Sequence, residues 1–237
     1  MVVEEFNTNK GIYIFEFDEL DTEFHSHPAI EIIIAKNGCF TLWTDSNIHK
    51  NLKFAIISAN QKHKLYSINC KLKVIMIEHH SRLVVDKLRF ININLNNVFF
   101  SEAEIESVLN QIDILKKVIN DDEVEPDYDY RITKTIAYLN ETNLDYHLMI
   151  STLKAITHLS ESRLSHLFKI NVGISLKKYL IWTKLKFTIK DHLHSGNDLL
   201  SALLESGFYD QPHFSNSFKN MLGVKPSKVY NSRNLQV

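Results

Sequence analysis

Two stretches of this 237-residue chain repeat each other at a constant offset of 50. SESRLSHLFKINVG (160–173) lies over DQPHFSNSFKNMLG (210–223), with Leu164 over Phe214, Phe168 over Phe218, Lys169 over Lys219 and Gly173 over Gly223. Ser160 and Asp210 are residue types that cap a helix N-terminus, and a glycine at the far end stops a helix. Each copy follows a short helical stretch and a tight turn, HL at 158–159 and SGFY at 206–209. Short helix, turn and well-capped second helix is the helix-turn-helix arrangement, so the repeat predicts two such units.

Helical spacing assigns the faces of the two capped helices. Leu164, Leu167 and Phe168 fall on one side of the first, and Ser162, Ser165, His166 and Lys169 on the other. In the second, Phe214 and Phe218 face inward and Gln211, Ser215, Asn216 and Lys219 outward. Arg163 and His213 lie between the faces. Short polar side chains of this kind can read base edges in a major groove, while lysine suits phosphate. One such helix is equally well a solvated amphipathic helix; two in one region favour the nucleic-acid reading.

Charge agrees. The formal net charge is −1, but residues 1–127 carry 13 Lys/Arg against 20 Asp/Glu, and residues 128–237 carry 14 against 8. The halves are therefore −7 and +6. A basic half suits a polyanion partner, because neutralising phosphates releases condensed counterions.

The two halves also differ in pattern. GIYIFEF, EIIIAK, CFTLW, FAIIS and LKVIMIE, within the first 80 or so residues, are short, rich in Ile, Val and aromatics, and separated by turn signals. They predict an all-β sandwich or barrel. The first ten residues carry no diagnostic pattern, and a mobile arm is one reading of them. Ser101 with Glu104 is a capping box, and Ile105, Val108, Leu109, Ile112, Leu115 and Ile119 then recur with helical period, predicting a helix over 101–119. Its apolar stripe suits packing on the β-domain or pairing with a second copy of the chain. DDEVEPDYDY (121–130) is acidic, contains a proline and reads as a linker. From Arg131 onward six helical stretches follow, with glycine at the joints. The expected organisation is α+β in two domains: residues 1–120, a linker at 121–130, and an all-α domain at 131–237.

The helical half resembles the DNA-binding domain of the AraC/XylS family of transcription regulators. GFYDQPHFSNSFKNMLGVKPS (207–227) carries the second-unit signature in Gly207, Phe208, Asp210, Phe214, Phe218, Lys219, Gly223 and Pro226. LSESRLSHLFKINVGISLKKYL (159–180) carries the first in Ser160, Leu164, Phe168, Lys169, Gly173 and Tyr179. The chain departs from the family pattern at Lys184 in place of arginine and Thr188 in place of alanine, and its first-helix alanines, Ala155 and Ala202, are each displaced by one position. The terminal aromatic–basic pair is shifted or lost at Val229, Tyr230 and Asn231. The resemblance implies two recognition helices in adjacent major grooves of promoter DNA, contact with RNA polymerase, and activation as the commoner outcome.

In the β-rich half, His25, His27 and Glu31 precede Gly38 as H-S-H-x3-E-x6-G, and His63 follows in NQKH. Three imidazoles and a carboxylate are a plausible set for zinc, iron or manganese. The spacing resembles the first motif of cupin barrels, and cupin-like sensor domains precede the DNA-binding domain in many regulators of this family. The second cupin motif is poor, with proline and glycine missing before His63 and asparagine displaced to Asn69. The expectation is therefore no metal and no cofactor. A small-molecule effector pocket drawn from some of His25, His27, Glu31, Phe40, Trp43, His63 and Tyr66, and a structural or dimerising barrel with no effector, are the two remaining readings of the domain. Cys39 and Cys70 cannot make a disulfide framework and read as free thiols.

No apolar run is long enough for a membrane span, and the N-terminus has acids where a signal peptide has bases. A cytoplasmic, non-enzymatic regulator, as a homodimer, is the leading expectation. The rivals are a metal-dependent cupin enzyme with a helical appendage, and a regulator without a small-molecule effector.

Overall fold

A computed structural model describes residues 1–78, 128–141, 146–195 and 197–230, with Glu106 and Asn110. Of the expected helix 101–119, Glu106 and Asn110 are described, both helical and exposed. The rest of that helix and most of the linker lie outside the described residues. Packing divides the chain into two units, Met1–Pro126 with Lys219–Val237, and Asp127–Phe218. The division at Pro126 falls inside the acidic stretch.

The β-rich region has nine strands among the described residues: β1 (Val2–Asn7), β2 (Ile12–Phe17), β3 (Leu20–Asp21), β4 (Ala29–Ala35), β5 (Phe40–Thr44), β6 (Ile48–Leu52), β7 (Phe54–Ile57), β8 (His63–Ser67) and β9 (Leu72–Glu78). They form two antiparallel sheets, ordered β1-β2-β9-β4-β7 and β3-β8-β5-β6. The five apolar segments read from the sequence are β2, β4, β5, β7 and β9. β1 replaces the mobile arm, pairing with β2 from Val2↔Glu16 to Asn7↔Ile12. β4, AIEIIIA, is central, paired with β9 on one side and β7 on the other, and Ala29 to Ile34 are all buried. A strand buried on both faces reads as a continuous apolar run, which is how this one is written. In β5 and β8 burial alternates, so Phe40, Leu42, Thr44, His63, Leu65 and Ser67 point inward.

The helical region holds α1 (Tyr130–Glu141), α2 (Tyr146–Thr157), α3 (Glu161–Val172), α4 (Leu176–His194), α5 (Leu199–Glu205), α6 (Gln211–Leu222) and α7 (Pro226–Tyr230). Its ends are set locally. Ser160 Oγ accepts from the Arg163 amide, Ser175 Oγ from Lys178, and Asp198 Oδ1 from Leu200 and Ser201. Ile132, Leu139, Met149, Leu153, Leu164, Phe168, Val172 and Tyr179 form one buried cluster that joins α1 to α4. Among the described residues no helix is long and apolar enough to cross a membrane.

Candidate nucleic-acid interface and histidine cluster

The offset-50 repeat is a structural repeat. α3 begins after the Ser160 cap and α6 after Asp210, whose Oδ1 accepts from the His213 amide at 2.7 Å. Both end on a glycine in the left-handed region, Gly173 at φ 81° and Gly223 at φ 72°, whose amides return to the carbonyls of Lys169 and Lys219. Only glycine takes that conformation without Cβ strain. Gly173→Ala should therefore cost about 1–2 kcal/mol of stability, and urea unfolding of the variant reads it.

Burial separates the faces. Leu164, Phe168 and Phe214 are fully buried and Phe218 nearly so. Phe214 packs edge-on to Phe208 at 5.3 Å and tilted to Phe218 at 5.6 Å. Leu167 is half-buried. On α3, Ser162, Arg163, His166 and Lys169 are exposed and Ser165 is half-buried. On α6, Gln211, His213 and Asn216 are exposed, while Ser215 and Lys219 are half-buried. These ten residues thus lie away from the buried Leu164, Phe168, Phe214 and Phe218, with Arg163 and His213 on the outward side.

Two features escaped the sequence reading. Ser217 is buried on α6. Lys184 Nζ donates to the Gly207 carbonyl at 2.6 Å, tying α4 to the turn before α6. The resemblance has arginine at this position; here a lysine makes the contact, through a compact ammonium in place of a planar guanidinium. Thr188, where the family has alanine, is fully buried and donates to the Lys184 carbonyl at 3.0 Å. A hydroxyl fits an alanine site when the helix itself supplies its acceptor.

In the β-rich region, His25, His27, Glu31 and His63 come together. All four are buried, and one ligand atom from each lies within 4.8 Å of the others. His25 and His63 form an isolated bridge, exchanging backbone hydrogen bonds of 2.9 and 3.0 Å. Glu31 is mid-strand in β4, opposite Met76 and Ile57. Glu31 Oε2 stands 3.1 Å from His27 Nε2 and 2.9 Å from His63 Nε2. Burial lowers the His25 pKa to about 3, and the neighbouring His63 and His27 act the same way. Burial pushes the Glu31 carboxyl up, but hydrogen bonding and the charges of His27 and His63 prevail and hold it well below the usual range. Burial pushes His63 down, and the Glu31 carboxylate beside it more than reverses that.

Strand parity splits the remaining expected pocket residues. Phe40 is buried on the inner face of β5. Trp43 and Tyr66 sit on the outer face of their sheet, ring to ring at 6.4 Å, with Lys64 over the indole. They do not join the four polar residues. Cys39 is exposed and Cys70 buried, both free.

Two antiparallel sheets followed by paired, capped helix-turn-helix units define a two-part architecture with a β-rich module and a tandem helix-turn-helix module. A family model of the helix-turn-helix domain matches residues 153–232. The arabinose operon regulatory protein of Salmonella typhimurium strain LT2 is 30% identical over 132 residues, covering 54% of this chain and 46% of that protein. That of Escherichia coli K12 is 29% identical over 132 residues, covering 54% and 44%. The chain thus spans less than half the length of these relatives. ToxT from Vibrio cholerae superposes with TM-score 0.52 at 13% identity, over 92% of this chain and 96% of that one. An apo ToxT variant from strain SCE256 superposes with TM-score 0.57 at 14% identity, over 93% and 97%. ToxT has also been solved bound to (E)-4-(8-methylnaphthalen-1-yl)but-3-enoic acid. The helical half thus matches a helix-turn-helix domain family and is similar in sequence to the two arabinose operon regulatory proteins, while the likeness to ToxT is one of fold.

Proposed function

We propose that this chain is a sequence-specific, DNA-binding transcription regulator that reads two adjacent major grooves through α3 and α6. The observation that supports this best is the repeated unit itself. Two helices of equal length, capped alike at both ends, carry aromatic or leucine residues inward and short polar residues plus a lysine outward. Ser162, Ser165, His166, Gln211, Ser215 and Asn216 are the proposed base-edge and groove contacts, with Arg163 and His213 beside them. Lys169 and Lys219 are the proposed phosphate contacts. A cytoplasmic homodimer that recruits RNA polymerase and activates transcription completes the reading, with no enzymatic role. The β-rich module would sense a signal, as the small acid bound to ToxT suggests by analogy. Such control needs an effector that binds the DNA-competent and incompetent states unequally.

Binding of purified protein to genomic fragments, sequenced after selection at two salt concentrations, tests this. A motif with two elements about one helical turn apart is the expected result. Weak, salt-erased binding without a motif would overturn it. Within the same assay, Lys169→Ala should weaken binding on all sequences alike and reduce the salt slope by about one unit.

A further inference from the structure

We propose that Tyr209 fixes α6 in its groove by donating its phenol hydrogen to a backbone phosphate, a positioning contact that the first helix-turn-helix unit lacks. This inference rests on the DNA-binding reading and adds a residue outside the two lysines and the polar faces of α3 and α6.

Comparison of the two units isolates the residue. In the first, the left-handed His158 (φ 55°) is followed by Leu159 alone before the Ser160 cap. In the second, Phe208 and Tyr209 stand between the left-handed Gly207 (φ 82°) and the Asp210 cap. Leu159 packs on the helical core and Phe208 is buried, ring to ring with Phe214 at 5.3 Å, so these two correspond. Tyr209 is the extra residue, and it is 86% exposed. Exposure of one aromatic residue is ordinary by itself. Tyr130, also more than half exposed, has Arg131 and Lys134 against its ring. Tyr209 makes no hydrogen bond, ion pair or ring contact among the described residues.

The backbone is held on both sides of Tyr209. The amides of Ser206, Gly207 and Phe208 donate to the carbonyls of Ala202, Leu204 and Leu203 at 3.1, 2.9 and 3.0 Å, and Lys184 Nζ donates to the Gly207 carbonyl. Downstream, the carboxylate and carbonyl of Asp210 accept from the amides of His213 and Phe214. Tyr209 therefore extends from fixed backbone, and a tyrosine has few side-chain torsions left to order on binding. In a helix-turn-helix the first helix crosses the DNA backbone and the second enters the major groove. The turn from α5 to α6 then lies at the groove wall, against phosphate oxygens. Those oxygens accept, and a phenol hydroxyl donates. The contact adds a hydrogen bond without a charge, so it releases no counterion. That separates it from the contacts of Lys169 and Lys219.

The test compares the full chain with its Tyr209→Phe variant on the selected DNA site and on single-base variants of it, across a salt series. Tyr209→Phe should weaken binding about tenfold, the worth of a hydrogen bond to a charged group, and by the same factor on every sequence. Its salt slope should equal that of the wild type. Ethylation interference should reveal one phosphate whose modification weakens the wild type and not the variant. That phosphate should flank the half of the site whose base preference Asn216→Ala alters. Tyr130→Phe should bind as the wild type does. Tyr209→Phe removes a single oxygen, and unchanged urea unfolding shows that the fold is kept. Wild-type affinity in Tyr209→Phe overturns the proposal and leaves the DNA-binding reading standing. A loss confined to particular bases overturns it too, because a phosphate contact carries no base preference. A wild type that selects no motif removes both readings.

Discussion

Phe168→Ala is expected to destabilise the helical region by about 3–5 kcal/mol, the cost of emptying an aromatic site that cannot collapse. Phe168 is fully buried in a cluster drawn from α1 to α4, and its ring meets Tyr179 edge-on at 5.3 Å. That pair adds roughly 0.5–1.5 kcal/mol beyond burial. The same helix carries its own control, because Ile170, two residues on, is 66% exposed. Ile170→Ala should stay within about 0.5 kcal/mol of wild type. Urea unfolding followed by circular dichroism compares the two. A Phe168→Ala loss under about 1 kcal/mol would mean that α3 is not held by the cluster assigned to it.

The second large effect falls on recognition. His166→Ala and Asn216→Ala should each remove about 1–3 kcal/mol of discrimination at one position of the selected DNA site. They sit on different helices with separate cores, so the double variant should lose roughly the sum, about 2–6 kcal/mol. Affinity for unrelated DNA should change little, since phosphate contacts supply that. Binding to the selected site and to single-base variants separates the outcomes. An equal loss on every sequence would remove His166 from the base readers and make it a positioning contact.

The helices were legible because their signals are local. Ser160, Ser175 and Asp198 accept the amides that a capping residue should, and the glycines after α3 and α6 take positive φ as helix stops do. The five apolar strands were legible for the same reason. β1, β3, β6 and β8 were not. β6, IHKNL, has no buried residue, and an exposed edge strand has no apolar alternation to read. β1 pairs through its backbone with only Val3 buried, so it looked like an arm.

The candidate sites divide along the same line. The polar faces of α3 and α6 follow from a period of 3.6 residues, which sequence numbering carries directly. In the β-rich half, numbering could group His25, Glu31, Phe40, Trp43, His63 and Tyr66 but not sort them. Strand parity, set by the register of β5 on β8, sends Trp43 and Tyr66 outward and His63 inward. Convergence of His63 on His25 across 38 residues is a matter of sheet pairing. Short-range order came from capping, periodicity and charge, which act within a few residues. Which distant side chains meet, and with which ring nitrogen, was decided by strand register and backbone carbonyl placement, and those exist only in the folded chain.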